Sequence, residues 1–197
     1  MYLKKILETK KFKILLVAGF ALFVGFLLYA FTVDHTKAPD VFTVNQGVQG
    51  SGLPVRLTIP AISVDAPIKE MGLTSDGAMD APDSPSDAGW FNLGPRPGEI
   101  GSAVIDGHFG WKNNKSAVFD NLYKVQKGDR IYVEDDTGTV TVFVVREIRI
   151  YHKDTDATDV FMSNDGKAHL NLITCTGPWS VREKTRGNRL IVFADVE

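Results

Sequence analysis

HLNLITCTGP occupies residues 169–178. Leu170, Leu172 and Ile173 form an apolar run, and Thr176, Gly177 and Pro178 close it. The stretch therefore reads as a strand running into a turn, with Cys175 at its end. The same pattern of a short β-like run broken by turn residues recurs along the chain. It marks strands over 55–59, 101–105, 130–134, 139–150, 169–174 and 190–194. Asp135, Asp136, Thr137 and Gly138 between two of them are a hairpin signal. Residues 71–97 are rich in Gly, Pro, Asp and Ser but hold Trp90, Phe91 and Leu93, which predicts a turn-rich connection with one short strand. Residues 116–123 are read as a single helical turn. No long amphipathic helical pattern and no internal repeat interrupts this series. The fold is expected to be mostly β, a single closed barrel or sandwich over residues 53–197.

The beginning of the chain is different. Residues 14–31 read ILLVAGFALFVGFLLYAF, without a charge. As a helix at ~1.5 Å per residue they span roughly 27 Å, close to the hydrocarbon thickness of a bilayer. Lys4, Lys5, Lys10, Lys11 and Lys13 precede them. A cleaved signal peptide would end its apolar region at small residues, where Leu28, Tyr29 and Phe31 stand here. The expected organisation is a basic cytoplasmic segment (1–13), a retained transmembrane helix (14–33), an extracellular spacer (34–52) and the β domain (53–197). By the positive-inside rule that domain faces the exterior of the cell membrane. Against Glu8 the five lysines give the first segments a charge of about +4, so a chain of net charge −2 leaves about −6 for the rest. An acidic domain is a poor partner for nucleic acid, whose binding depends on Lys and Arg neutralising phosphates.

Cys175 is the only cysteine in 197 residues. Outside the cell cysteines normally pair, so a solitary one is either a reactive thiol or an inert, buried small hydrophobe. A nucleophilic thiol needs a basic or cationic neighbour, because the thiolate attacks and an unperturbed cysteine has a pKa of about 8.5. Of four histidines, His35 lies in the spacer. His169 is on the cysteine's own predicted strand, about 20 Å away at ~3.3 Å per residue. His152 sits in a polar run with Lys153 and Asp154. His108 follows the apolar strand Ala103, Val104, Ile105 in a glycine-lined turn, again at a strand end. Arg189 precedes Leu190, Ile191, Val192, Phe193 and Ala194, and two consecutive antiparallel strands bring the end of the first beside the start of the second. Cys175 and Arg189 are thus expected to meet.

The run Leu172–Cys175, the Gly107 and His108 pair after a Val-Ile strand, and Arg189 before a strand together resemble the sortase signature. Arg56 to Pro60, then Val64 to Pro67, Gly72, Leu73, Asp76, Gly77 and Met79, Gly89 to Phe91, and Gly94 to Glu99 are most similar to the class F branch, with class E next. The resemblance implies an eight-stranded β-barrel and a cysteine transpeptidase that cleaves an LPXTG-type sorting signal between Thr and Gly. It also implies a transfer to an amine of the cell wall or of a pilin, with His108, Cys175 and Arg189 as catalytic residues. Thr174 and Trp179 are candidate substrate-binding residues. Asn171 stands where the family has Thr and is expected to affect packing or groove polarity. Asp106 stands where a small residue is expected; a carboxylate approaching His108 would favour the charged imidazole.

No cofactor is expected. Asp154, Asp156, Asp159 and Asp165 invite a calcium reading, but their spacing lacks the EF-hand Gly and terminal Glu. Two other readings stay open. One is an L,D-transpeptidase-like enzyme acting on peptidoglycan, although that family places Ser-His-Gly before its cysteine. The other is an anchored binding module with an inert Cys175.

Overall fold

The computed structural model describes residues 52–110, 116–182 and 185–197. The expected cytoplasmic segment, transmembrane helix and nearly all of the spacer lie outside them. Eight strands close into a barrel: β1 (Pro54–Ile59), β2 (Val64–Met71), β3 (Ala88–Phe91), β4 (Gly101–Gly107), β5 (Arg130–Asp135), β6 (Val140–His152), β7 (Ala168–Ser180) and β8 (Thr185–Val196). Their spatial order is β1-β2-β3-β4-β7-β8-β6-β5, with β5 returning to β1. Neighbours run antiparallel except β2 with β3 and β4 with β7, which are parallel. All six strands read from the sequence are present, and β3 is the short strand expected within 71–97. The region 116–123 forms turns that lead into a 3-10 turn at Leu122–Lys124 rather than a helix of its own.

Strand β2 has no counterpart among the six sequence-read strands. Val64, Ala66 and Ile68 alternate inward with exposed Asp65, Pro67 and Lys69, and β1 pairs with it through Leu57↔Ala66. The tight connection that returns the chain from β1 uses Pro60 at the start of a 3-10 turn. Ser63 then takes a left-handed φ of 54° and gives its N–H to the Pro60 carbonyl at 3.1 Å. At the β5–β6 hairpin the Asp135 carboxylate accepts the N–H groups of Gly52, Thr137 and Thr139 and the Thr137 hydroxyl. Burial opposes its ionisation, but these donors outweigh it and hold the carboxyl below the usual range.

The barrel interior is filled by Leu57, Ile59, Trp90, Ile105, Phe119, Ile131, Phe143, Leu170, Leu172 and Val192, among others. A second cluster, Val160, Ile191 and Phe193 with Tyr151, Phe161 and Ile173, lies on the other face of β7 and β8. Here the β6–β7 connection, containing the short helix α1 (Thr158–Phe161), packs on the sheet. Strands covered on both faces carry continuous rather than alternating apolar residues, which accounts for adjacent Leu172 and Ile173 and for the run 190–194. Asn171 is part of this contact: its Nδ2 donates to the Val160 carbonyl at 2.6 Å, so it ties α1 to β7. His169, 2% exposed, fastens the far end of the same connection. Its Nδ1 lies 2.7 Å from Asp195 Oδ1 and its Nε2 3.0 Å from Asp165 Oδ1, and the latter contact drives the Asp165 carboxyl well below the ordinary range. This is a structural role, at the end of β7 away from Cys175.

Candidate active site

The site forms where β4 stops and β7 does not. The parallel β4–β7 ladder ends at Asp106↔Ile173, and β4 itself ends at Gly107. Two residues further along each chain stand His108 and Cys175, so continuation of the register sets them side by side at the spacing of adjacent strands, about 4.8 Å. On the other side of β7, Cys175 is the direct register partner of Arg189 on β8. The three residues therefore occupy three neighbouring chains in one row.

Two expected details differ. Cys175 does not end its strand, nor does Arg189 open one. β7 continues to Ser180 and β8 begins at Thr185, and the two run on as a ribbon with a register shift between Thr176 and Trp179. What opens the site is the end of β4, which exposes the edge of β7 at half-buried Cys175.

His108 and Arg189 are held by groups outside the row. His108 Nε2–H donates to the Pro82 carbonyl at 2.6 Å, which keeps a proton on that nitrogen. The His108 carbonyl accepts the Phe119 N–H at 3.0 Å, and the Gly110 N–H reaches Asp120 Oδ1 at 2.7 Å. Arg189 directs Nη1 to the carbonyls of Arg186 and Asn188, both at 3.0 Å, and Nη2 to Thr185 Oγ1 at 3.4 Å. That commits three of the five N–H groups a guanidinium carries.

A sortase domain model matches residues 57–197. The chain belongs to the sortase family. Sortases are cysteine transpeptidases, so the family decides against the L,D-transpeptidase and inert-module readings. Similar solved structures include sortase C-1 from Actinomyces oris, with 28% identity, TM-score 0.57 and coverage of 73% of this chain and 74% of that one. Streptococcus agalactiae sortase C1, in complex with MTSET, is 28% identical with TM-score 0.57, over 73% of this chain and 66% of that one. Sortase A from Corynebacterium diphtheriae is 25% identical with TM-score 0.55, over 75% and 61%. Curated protein sequences contain no significant match.

The substrate-binding candidates of this sortase take different places. Thr174 is 2% exposed and turned inward, where its hydroxyl donates to the Gly107 carbonyl at 2.6 Å. It is a tie between β4 and β7 rather than part of a groove surface, because a strand residue beside the outward Cys175 must point to the other face. Trp179 is 57% exposed on the ribbon beyond the register shift, opposite Arg186. His152 is exposed beside Asp154 at 3.5 Å, on β6 opposite Asn188, one residue past the Tyr151–Arg189 pair and two strands away from Cys175; His35 lies outside the described residues. The four aspartates of the calcium reading have separate protein partners. Asp154 pairs with Lys153, Asp156 with Thr158, Asp159 with Arg149 and Tyr151, and Asp165 with His169. Among the described residues no three His, Cys, Asp or Glu side chains gather to hold a metal.

Sequence reasoning missed Arg186. Its Nη1 donates to the Gly177 carbonyl at 2.6 Å and its guanidinium lies 4.9 Å from the Phe109 ring centroid. It thereby joins the register shift after Cys175 to the residue after His108. Gly177 has φ of 84°, which suits the kink at the register shift. Nothing in a lone Arg three residues before Arg189 announces such a bridge. Arg186→Ala should lower kcat/KM for a sorting peptide about tenfold, or ~1.4 kcal/mol. The charge-assisted hydrogen bond and the cation–π contact it removes are of that order. Arg186→Lys, which keeps the charge but not the planar fork, should recover only part of the loss in steady-state kinetics.

Proposed function

We propose that this sortase cleaves an LPXTG-type sorting signal between Thr and Gly and transfers the Thr acyl group to an amine, joining surface proteins to the cell wall or pilins to one another. The observation that carries the reading is the row of His108, Cys175 and Arg189 across β4, β7 and β8. The Cys175 thiolate attacks the Thr carbonyl carbon, and Arg189 donates hydrogen bonds to the oxyanion that forms. The C–N bond to Gly breaks while His108 hands a proton to the leaving amine. An acceptor amine then attacks the thioester, losing its proton to His108 and releasing the thiolate. Because Nε2–H is anchored on Pro82, Nδ1 is the ring position that gains and loses the proton in both half-reactions.

Trp179, exposed at the rim beyond Cys175, offers an apolar surface to the sorting signal. The likeness of its motifs supports reading the chain as a class F sortase, with class E next. Residues 14–33 anchor the enzyme in the cell membrane with a single pass, the N-terminus cytoplasmic and the domain outside. This reading rests on the apolar run and its lysine flank.

The test is incubation of the purified protein with LPXTG-type peptides and hydroxylamine, read by mass spectrometry. The expected product is the Thr hydroxamate with release of a Gly-started fragment. Intact peptide throughout a panel of sorting motifs would overturn the reading.

A further inference from the structure

Asp106 lies two residues before His108, with a buried Oδ1 that has no hydrogen-bond partner. Its surroundings explain why it is unsatisfied. Gly89 on β3 is its register partner. A Cβ on Gly89 would run into the Asp106 oxygen and stand 2.6 Å from Met71 Cγ and 3.0 Å from Pro82 Cδ. The carboxyl is therefore packed against uncharged atoms of β2, β3 and the strap 79–82. β7 adds Ile173 beside it. The charged group that faces it is Asp80, on that strap; along β4 the nearest titratable side chain is His108.

The strap is common to both residues. Asp80 gives its N–H to the Gly72 carbonyl at 3.0 Å and accepts the Ala81 N–H on Oδ1 at 2.9 Å. Two residues on, Pro82 offers the carbonyl that holds the His108 imidazole. A half-enclosed carboxyl facing another carboxyl is poorly stabilised as an anion. Burial, and then the charge of Asp80, push Asp106 up to about 7.

We infer that Asp106 is a positioning residue for His108: as a neutral acid it lets the strap close on β3 and β4 and keeps the Pro82 carbonyl on the imidazole, and as a carboxylate it repels Asp80 and lifts the strap away. The inference deepens the reading of His108 as the proton carrier and rests on it. The sign follows from the raised value. Below about pH 7 the acid form predominates and His108 is held; above it the hold weakens, so turnover acquires an alkaline decline that belongs neither to the thiol nor to the imidazole.

The experiment compares the full chain and Asp106→Asn between about pH 6 and pH 8.5, reading the Ala81 amide and the His108 Nε2 proton by NMR and kcat/KM on a sorting peptide. In the parent protein both signals should change with a midpoint near 7. In Asp106→Asn, an uncharged isostere, the Ala81 amide should stay flat. The variant's kcat/KM should match the parent at the acid end and exceed it about two- to fivefold at the alkaline end. A flat Ala81 amide in the parent overturns the inference even if the variant does not fold, and so does a variant that keeps the transition. The NMR arm uses no substrate, so absence of peptide cleavage would count against the proposed function and leave this result standing.

Discussion

Cys175→Ala should reduce cleavage of sorting peptides to background, a loss of at least about 10³-fold, while leaving the fold intact. The size follows from the row of three residues acting as a unit. Without the sulfur no thioacyl bond forms, and neither the proton held by His108 nor the hydrogen bonds of Arg189 have a developing charge to act on. The stability cost should be small, under about 1 kcal/mol, because Cys175 is half-buried at the edge of β7 and outside the barrel core. Mass spectrometry of peptide products and thermal melts of the two proteins give both halves of the result. Cleavage at Thr-Gly that survives the substitution would sink the mechanism. The same exposure makes a second outcome accessible: a thiol-specific alkylator should label the native protein stoichiometrically and block cleavage.

Much of the fold could be read because β7 and β8 are buried on both faces. Leu190–Ala194 is a continuous apolar run and Leu170–Ile173 is apolar but for Asn171, and the residues at their ends mark where the apolar pattern stops. The extensions of these strands to Ser180 and from Thr185 left no such mark. A two-stranded ribbon carries no core-facing apolar pattern, and Gly177 and Pro178 look like a turn because they form the register shift between the paired residues Thr176 and Trp179. Strand β2 shows clear alternation at Val64, Ala66 and Ile68, but Pro67, Lys69 and Glu70 demote it in any reading of propensity.

The row of His108, Cys175 and Arg189 was legible for a related reason: strand ends are where a rigid sheet presents side chains, and the family motif supplied the pairing. The supports were not legible. Pro82 and Asp120 come from separate loops that only the closed fold brings to the row, while Phe109 and Arg186 stand near it in sequence but carry no motif that marks their contact. Asp106 was noticed as a departure, but its direction was not. It packs against Gly89 and the strap, and acts on the imidazole through Pro82 instead of by direct approach.

Gly107→Ala should damage both fold and activity through a single methyl. Glycine is required at this position by space. A Cβ would stand 2.5 and 2.8 Å from two Phe119 ring carbons and 2.6 Å from Val118 Cγ1. Real carbons do not approach so closely, so something must move. Phe119 is fully enclosed in the core, and its N–H is bonded to the His108 carbonyl; the Val118 N–H is bonded to the Pro85 carbonyl. The ring therefore cannot retreat without drawing on the chain that carries the imidazole. Nor can β4 shift freely, since the Gly107 carbonyl accepts the buried Thr174 hydroxyl. Overpacking of this kind costs about 1–3 kcal/mol, which for a domain of this size corresponds to a Tm lower by roughly 4–12 °C. Displacing His108 by about 1 Å relative to Cys175 should cost up to about 10²-fold in kcat/KM. A calorimetric scan and peptide kinetics measure the two effects, and Phe119→Leu tests their common origin. If the clash is with that ring, the double variant should lose less than the sum of the single losses, because the smaller side chain makes room for the methyl. A Gly107→Ala protein with unchanged Tm and activity within twofold of the parent would mean that Phe119 does not pack on β4 in this way, and that His108 is positioned by something else.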